Sequence, residues 1–179
     1  LTIDTAIQHI CERELYKSIG KFKAKRGAII VMDPTNGEIL AYAVYPFYNP
    51  NNYKSATMIQ MKNWTLTDIF PPGSTFKPLT VSSALELGKI NRNSRINDPG
   101  KIKIDTWTIE NHDYKKKGGR GKITLVQLFE HSSNCASINI AMMMTNNEFY
   151  TILKKFGFGS KTGIDLPGES VGLINRPSS

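Results

Sequence analysis

Pro71-Pro72-Gly73-Ser74-Thr75-Phe76-Lys77-Pro78 is the stretch that decides the reading of this 179-residue chain. The two prolines bring the backbone in extended, and Gly73 permits a sharp turn. A helical pattern follows, carried by Phe76, Leu79, Thr80, Ala84 and Leu87 and closed at Gly88. Ser74 is thereby expected in a first helical turn, where free backbone N–H groups and the positive dipole end favour a developing negative charge. On a helix, a serine and a lysine three residues apart share one face, so the Lys77 amine can take the Ser74 proton. A lysine serves as that base only if burial or a cationic neighbour lowers its pKa toward neutrality. Pro78 has no N–H for the Ser74 carbonyl, which marks a local departure from regular helix.

Ser-x-x-Lys alone is a weak signal, and the chain holds it twice. Ser18-Ile19-Gly20-Lys21 sits at the end of a first helix interrupted by Gly20, so its lysine is not held in place. A second constellation is Ser132-Ser133-Asn134, expected near the start of a long helix. It offers a hydroxyl to relay protons and a side-chain amide to bind a peptide carbonyl. Ser137-Ile138-Asn139 repeats that pattern five residues along and reads as an ordinary polar helix face. A Ser-His-Asp triad based on His9, His112 or His131 is disfavoured. His131 adjoins Ser132 in sequence, but consecutive helical residues point apart.

Around these motifs, Asp4 or Thr5 is placed to cap a first helix whose stripe of Ile7, Ile10, Leu15 and Ile19 ends at Gly20. Two apolar runs, Gly27 to Asp33 and Glu38 to Val44, flank Pro34-Thr35-Asn36-Gly37. They predict a β-hairpin over 27–44 whose Asn-Gly supplies the positive φ angles of the turn. Residues 90–122 read as a polar surface excursion with one short extended segment at Lys101 to Ile109. Further helices are expected over Thr124 to Met144 and Asn147 to Phe156. Residues 63–179 are thus expected to be a mostly helical region, with no internal repeat or linker.

The net charge of +8 admits an anionic partner, and 40% hydrophobic with 21% charged residues fits a globular fold. No apolar run reaches the ~20 residues of a membrane span. The basic stretch Lys115 to Lys122 resembles an RNA-binding tail, but no aromatic residues are interleaved for base stacking, so a solvated loop is preferred. Cys11 and Cys135 are too few for a metal site or a disulfide framework, and buried free thiols are expected. Without an initiator Met, a leader or a closing element, the chain is read as a fragment.

The Pro71 to Pro78 stretch resembles the nucleophile motif of class B penicillin-binding proteins, the monofunctional peptidoglycan transpeptidases. Ser132-Ser133-Asn134, 58 residues on, resembles their second motif in type and spacing. Also similar are Leu1 to Asp4, the hairpin, Phe47-Tyr48-Asn49-Pro50-Asn51, Asn63, and Phe156-Gly157-Phe158-Gly159 running into Thr162 to Glu169. Lys161-Thr162-Gly163 spells the family's third motif but falls 27 residues after Asn134, inside the loop following Phe-Gly-Phe-Gly, and is read as a decoy.

The resemblance implies an α/β (α+β) fold of the penicillin-binding, serine β-lactamase-like transpeptidase type. Residues 1–179 would be its N-terminal portion: the hairpin of the central antiparallel sheet and the helical subdomain, with the remaining strands missing. It implies Ser74 as nucleophile, Lys77 as base, Ser132 as proton relay and Asn134 as substrate-amide ligand, with no cofactor and no metal. The implied substrates are peptidoglycan stem peptides ending in D-Ala-D-Ala, with β-lactam antibiotics as acylating mimics. The implied setting is the extracytoplasmic side of the bacterial inner membrane, beside divisome or elongasome proteins, and no nucleic acid is expected to bind. Ser132 to Ala136 and Ile109 to Asp113 look more like the division (septal) branch than the elongation branch. This fragment alone is expected to be inactive. A serine β-lactamase or β-lactam sensor, a basic nucleic-acid-binding module and a catalytically dead interaction domain remain alternatives.

Overall fold

Asp4 opens the first element: its carboxylate accepts from the N–H groups of Ala6 and Ile7 at 2.9 and 3.0 Å and caps α1 (Thr5–Phe22). The helix runs through Gly20, where the sequence pattern suggested an end, and stops at Lys23 in the left-handed conformation. One helical glycine costs ~1 kcal/mol relative to alanine, too little to end a helix docked on strands. Cys11 and Leu15 of α1 pack on Ala41 and Ala43 of a hairpin formed by β1 (Gly27–Met32) and β2 (Ile39–Tyr45). The strands are antiparallel from Gly27 opposite Tyr45 to Met32 opposite Ile39, with a register shift at Val31 and Met32. Of the Asn-Gly pair only Gly37 has a positive φ, at 80°. Asn36 instead uses its side chain, whose Oδ1 accepts from the Glu38 N–H at 2.9 Å. The turn is longer than a two-residue hairpin loop, closed by the Asp33 N–H on the Glu38 carbonyl.

The computed structural model describes residues 1–177, which divide into two units: residues 1–68 with 165–170, and residues 69–164 with 171–177. The first unit adds the short helices α2 (Met58–Met61) and α3 (Trp64–Thr67) to the helix-on-hairpin core. Gln8 of α1 clamps the β2 backbone, accepting from the Tyr42 N–H at 2.7 Å and donating to its carbonyl at 3.2 Å. Lys62 and Arg26 both reach Asp68 and hold its carboxyl down to about 2.

The second unit holds α4 (Lys77–Glu86), β3 (Arg95–Asp98), β4 (Lys101–Ile104), β5 (Trp107–Glu110), α5 (Tyr114–Lys117), β6 (Gly121–Thr124), α6 (Leu125–Glu130), α7 (Asn134–Ala141) and α8 (Asn146–Lys155). The stretch 90–122 is therefore not a polar excursion. β3 pairs antiparallel with β6, and β4 with β5. Ile96 and Ile123 enter a core shared with Val81, Ala84, Leu128, Ala136 and Ile140. Its polar residues misled the sequence reading because Asp98 and Asn111 spend their hydrogen bonds inside the unit. Nor is Thr124 to Met144 one helix. It breaks between Glu130 and Asn134, and that break makes the site.

The α+β class stands. Among the described residues no helix is long and apolar enough to cross a membrane, and no cluster of residues suited to a metal ion is present. Both cysteines are free and buried.

Candidate active site

Ser74 lies one turn ahead of α4, in a short 3-10 turn, Gly73–Phe76, rather than in the helix proper. Gly73 has φ 61°, which lets the chain leave Pro71-Pro72 and enter the turn without side-chain strain. The Lys77 N–H donates to the Ser74 carbonyl, so that carbonyl already has a partner and the missing Pro78 N–H leaves nothing unsatisfied. In a 3-10 turn the side chains at i and i+3 eclipse, which aligns Lys77 over Ser74. Phe76 pins the turn from the other side, edge-on to Phe158 at 5.5 Å and to Phe149 at 6.3 Å between ring centroids. The Phe-Gly-Phe-Gly stretch thus buttresses the nucleophile turn.

The second motif sits at the break between α6 and α7. Ser132 N–H donates to the Phe129 carbonyl and Ser133 N–H to the Leu128 carbonyl, both at 3.0 Å. This pair of bonds is a Schellman motif, whose left-handed position is usually glycine. Here Ser132 occupies it, with φ 48°. A left-handed non-glycine residue costs of order 1–2 kcal/mol, and such strain gathers at functional sites. It turns the Ser132 hydroxyl and carbonyl toward Lys77. Ser133, fully buried, then caps α7 by accepting from the Ala136 N–H at 3.0 Å.

Lys77 Nζ gathers four oxygens: Ser74 Oγ at 3.1 Å, Ser132 Oγ at 2.8 Å, Asn134 Oδ1 at 2.9 Å and the Ser132 carbonyl. Ser132 Oγ also lies 3.1 Å from Ser74 Oγ. Lys77 is only 9% exposed, whereas Ser74 is open to solvent. Burial pushes the Lys77 amine below its ordinary pKa, and none of the four oxygens is a carboxylate that would restore it. An exposed hydroxyl beside a desolvated amine and a second hydroxyl can do nucleophilic acyl transfer with an internal proton path. Asn134 gives one amide hydrogen to the Glu110 carbonyl at 3.0 Å, which leaves the second for a ligand.

All four residues singled out from sequence therefore meet at one point. Their look-alikes do not. Ser18 and Lys21 are exposed on α1 in the first unit. Asn139 holds the Asn97 carbonyl at 2.8 Å, and Ser137 bonds back to the Ser133 carbonyl. Lys161-Thr162-Gly163 is exposed and lies on no strand. Lys115 to Lys117 are exposed on α5, but Arg120 of the same basic run turns inward to Asp113. Sequence reading missed Asn111 and Asp98, which are buried next to the site. Asp98 offered only polarity, which reads as surface, and Asn111 lay in the 109–113 stretch of the family resemblance with no role attached to it.

Residues 27–179 match the family described as the penicillin binding protein transpeptidase domain. The chain is 37% identical over 175 residues to a probable peptidoglycan D,D-transpeptidase PbpC of Pseudomonas aeruginosa, covering 97% of this chain and 30% of that protein. It is 35% identical over 173 residues to peptidoglycan D,D-transpeptidase FtsI of Escherichia coli, covering 97% of this chain and 28% of that protein. Among solved structures, the apo transpeptidase (TP) domain of Burkholderia pseudomallei penicillin-binding protein 3 superposes with a TM-score of 0.81 at 32% identity. It covers 99% of this chain and 47% of that one. The chain spans about 30% of the length of the curated relatives it matches. A nucleophile turn braced by its aromatic neighbours, a left-handed serine and a matching family over most of the length converge: the chain belongs to the penicillin-binding protein transpeptidase domain family, in its class B branch.

Proposed function

We propose that this chain carries the serine acyl-transfer site of a peptidoglycan D,D-transpeptidase. Ser74 attacks the carbonyl of the penultimate D-Ala of a stem peptide as Lys77 takes its proton. The oxyanion is stabilised by backbone N–H groups, that of Ser74 among them. Ser132 passes the proton to the leaving D-Ala, and the free Asn134 amide hydrogen holds the substrate carbonyl. The amine of a second stem then attacks the acyl-Ser74 ester, forms the cross-link and restores the Ser74 hydroxyl. A β-lactam mimics D-Ala-D-Ala and leaves Ser74 acylated. The observation that carries this reading is Lys77 Nζ, desolvated and 3.1 Å from an exposed Ser74 Oγ.

The finer reading is septal cross-linking by a membrane-anchored protein acting outside the cytoplasm beside division proteins. It is supported by the FtsI relatives at 35% identity. Labelling of the full-length protein with a fluorescent penicillin, followed by peptide mapping, tests the assignment. The adduct is expected on the peptide containing Ser74 and is lost in Ser74→Ala. An adduct on Ser18, or one that persists in Ser74→Ala, removes the reading; rapid turnover of the β-lactam would instead indicate a β-lactamase.

A further inference from the structure

Behind the reactive groups lies a buried polar pair that no catalytic step uses. Asn111, 3% exposed, follows directly on β5, and Asp98, fully buried, closes β3. The Asn111 side-chain oxygen accepts from the Asn134 N–H at 2.9 Å and the Cys135 N–H at 3.1 Å, and from the Ser133 hydroxyl at 3.3 Å. With the Ser133 oxygen on the Ala136 N–H, the first three N–H groups of α7 are all satisfied. The first N–H groups of a helix have no partner within it, so whatever accepts from them fixes where the helix begins. Here the helix begins on Asn134, one residue after the left-handed Ser132 turn has closed.

We propose that Asn111, oriented by Asp98, is a positioning residue for the acyl transfer: it sets the start of α7 and thereby holds Asn134 and Ser132 against Lys77. The proposal rests on the acyl-transfer reading above. The end of β5 grips Asn134 twice, since the Glu110 carbonyl takes its side-chain amide while Asn111 takes its backbone N–H. That leaves the Asn134 oxygen aimed at Lys77 Nζ, 2.9 Å away. The Asn111 amide can serve α7 only with its oxygen facing the helix. Asp98 enforces this: both its oxygens accept from Asn111 Nδ2, at 2.7 and 3.0 Å, and one also takes the Gly100 N–H at 3.0 Å. A flipped amide would set its oxygen against that carboxylate and its NH2 against three donors. Arg120 Nη1, 3.7 Å from Asp98, balances the buried charge. The bonds Asn111 makes to this junction fall on residues 133–135, a stretch that contains Asn134 and adjoins Ser132, the two residues here that bond Lys77.

The test measures acylation of the full-length protein by benzylpenicillin under rapid mixing, recording both the rate constant and the fraction of protein that labels. Asn111→Asp sets a carboxylate against Asp98. The double exchange Asp98→Asn with Asn111→Asp reverses donor and acceptor. The amide now at position 98 then donates to the carboxylate now at position 111 and keeps an oxygen for the Gly100 N–H, while that carboxylate still accepts from α7. Asn111→Asp is expected to lower the rate constant about ten- to a hundredfold, the scale of a small misplacement of reacting groups, while nearly all the protein still labels. The double exchange is expected to recover most of that loss. A merely structural role would instead lower the labelled fraction and leave the rate constant of the remainder unchanged. That result, a wild-type rate constant in Asn111→Asp, or a double exchange no faster than the single variant, overturns the proposal. Should Asn111→Asp not fold, Asn111→Ser, whose hydroxyl is too short to reach α7, is read by the same criteria. Absence of any adduct on the wild-type protein overturns this proposal and the transpeptidase reading together; failure confined to the variants overturns this one alone.

Discussion

Lys77 is where sequence and chemistry meet most directly. Its amine is buried among neutral oxygens, and desolvation there favours the uncharged form that can accept a proton. The sign is fixed. The folded protein holds the Lys77 proton less tightly than the unfolded chain, whose lysine keeps a pKa of about 10.4. Stability therefore rises with pH between the lowered folded pKa and about 10.4, because the unfolded state binds more protons there. Acylation of Ser74 should rise with pH through that same lowered folded value. Lys77→Arg keeps a charge but supplies no base near neutrality. It is expected to reduce the benzylpenicillin acylation rate at least about a hundredfold, the scale of losing a general base. Stopped-flow acylation across pH checks both statements, and a near-normal rate in the arginine variant would leave Lys77 only an organising role.

At the scale of elements, the α6–α7 junction trades stability for placement. Ser132 holds a left-handed position that glycine occupies without strain. Ser132→Gly and Ser132→Ala both remove the hydroxyl, but only alanine keeps the strain. The glycine variant is expected to be the more stable of the two by about 1 kcal/mol, with acylation down to a similar extent in both. Thermal melts beside labelling rates decide this, and equal melting temperatures would mean that the turn is not strained.

The β3–β6 pair depends on another glycine for a different reason. A side chain at Gly119 would meet the Pro99 carbonyl oxygen at 2.5 Å and its carbon at 2.7 Å, both backbone atoms that cannot swing away. That close approach lets the Arg120 N–H reach the Asp98 carbonyl at 2.9 Å. Gly119→Ala is expected to destabilise by about 1–3 kcal/mol, as overpacking does. Gly172→Ala, with open space around it, should be neutral and serves as the control in the same melts.

Across the whole molecule, the three-motif logic of the family can be tested on residues 1–179 alone. Lys161-Thr162-Gly163 lies exposed and off any strand, so it is not built as the strand-borne third motif. The family resemblance assigns one oxyanion N–H to the third-motif strand, and losing one such donor alone costs about a hundred- to a thousandfold. Residues 1–179 by themselves are therefore expected to stay unlabelled after prolonged incubation with benzylpenicillin although Ser74, Lys77, Ser132 and Asn134 are assembled. Intact-mass spectrometry gives the answer. A stoichiometric adduct that Lys161→Ala abolishes would show that Lys161-Thr162-Gly163 is the working motif after all.

The amino-acid sequence by itself determined the local matters. The hairpin followed from two β-branched runs around a turn. The turn into α4 followed from Pro-Pro-Gly, and the base from a lysine three residues past a serine. Each depends on near neighbours, whose geometry the covalent chain dictates. Only the tertiary structure decided the α6–α7 break, because no glycine or proline stands at 131–133. Ser132 is held left-handed there by its bonds to Lys77 and by the partners of the α7 N-terminus, contributed by residues 22 to 55 positions away. The inward course of Asp98 and Asn111 was likewise invisible, since a polar residue reads as surface until the donors that satisfy it are brought in from distant strands.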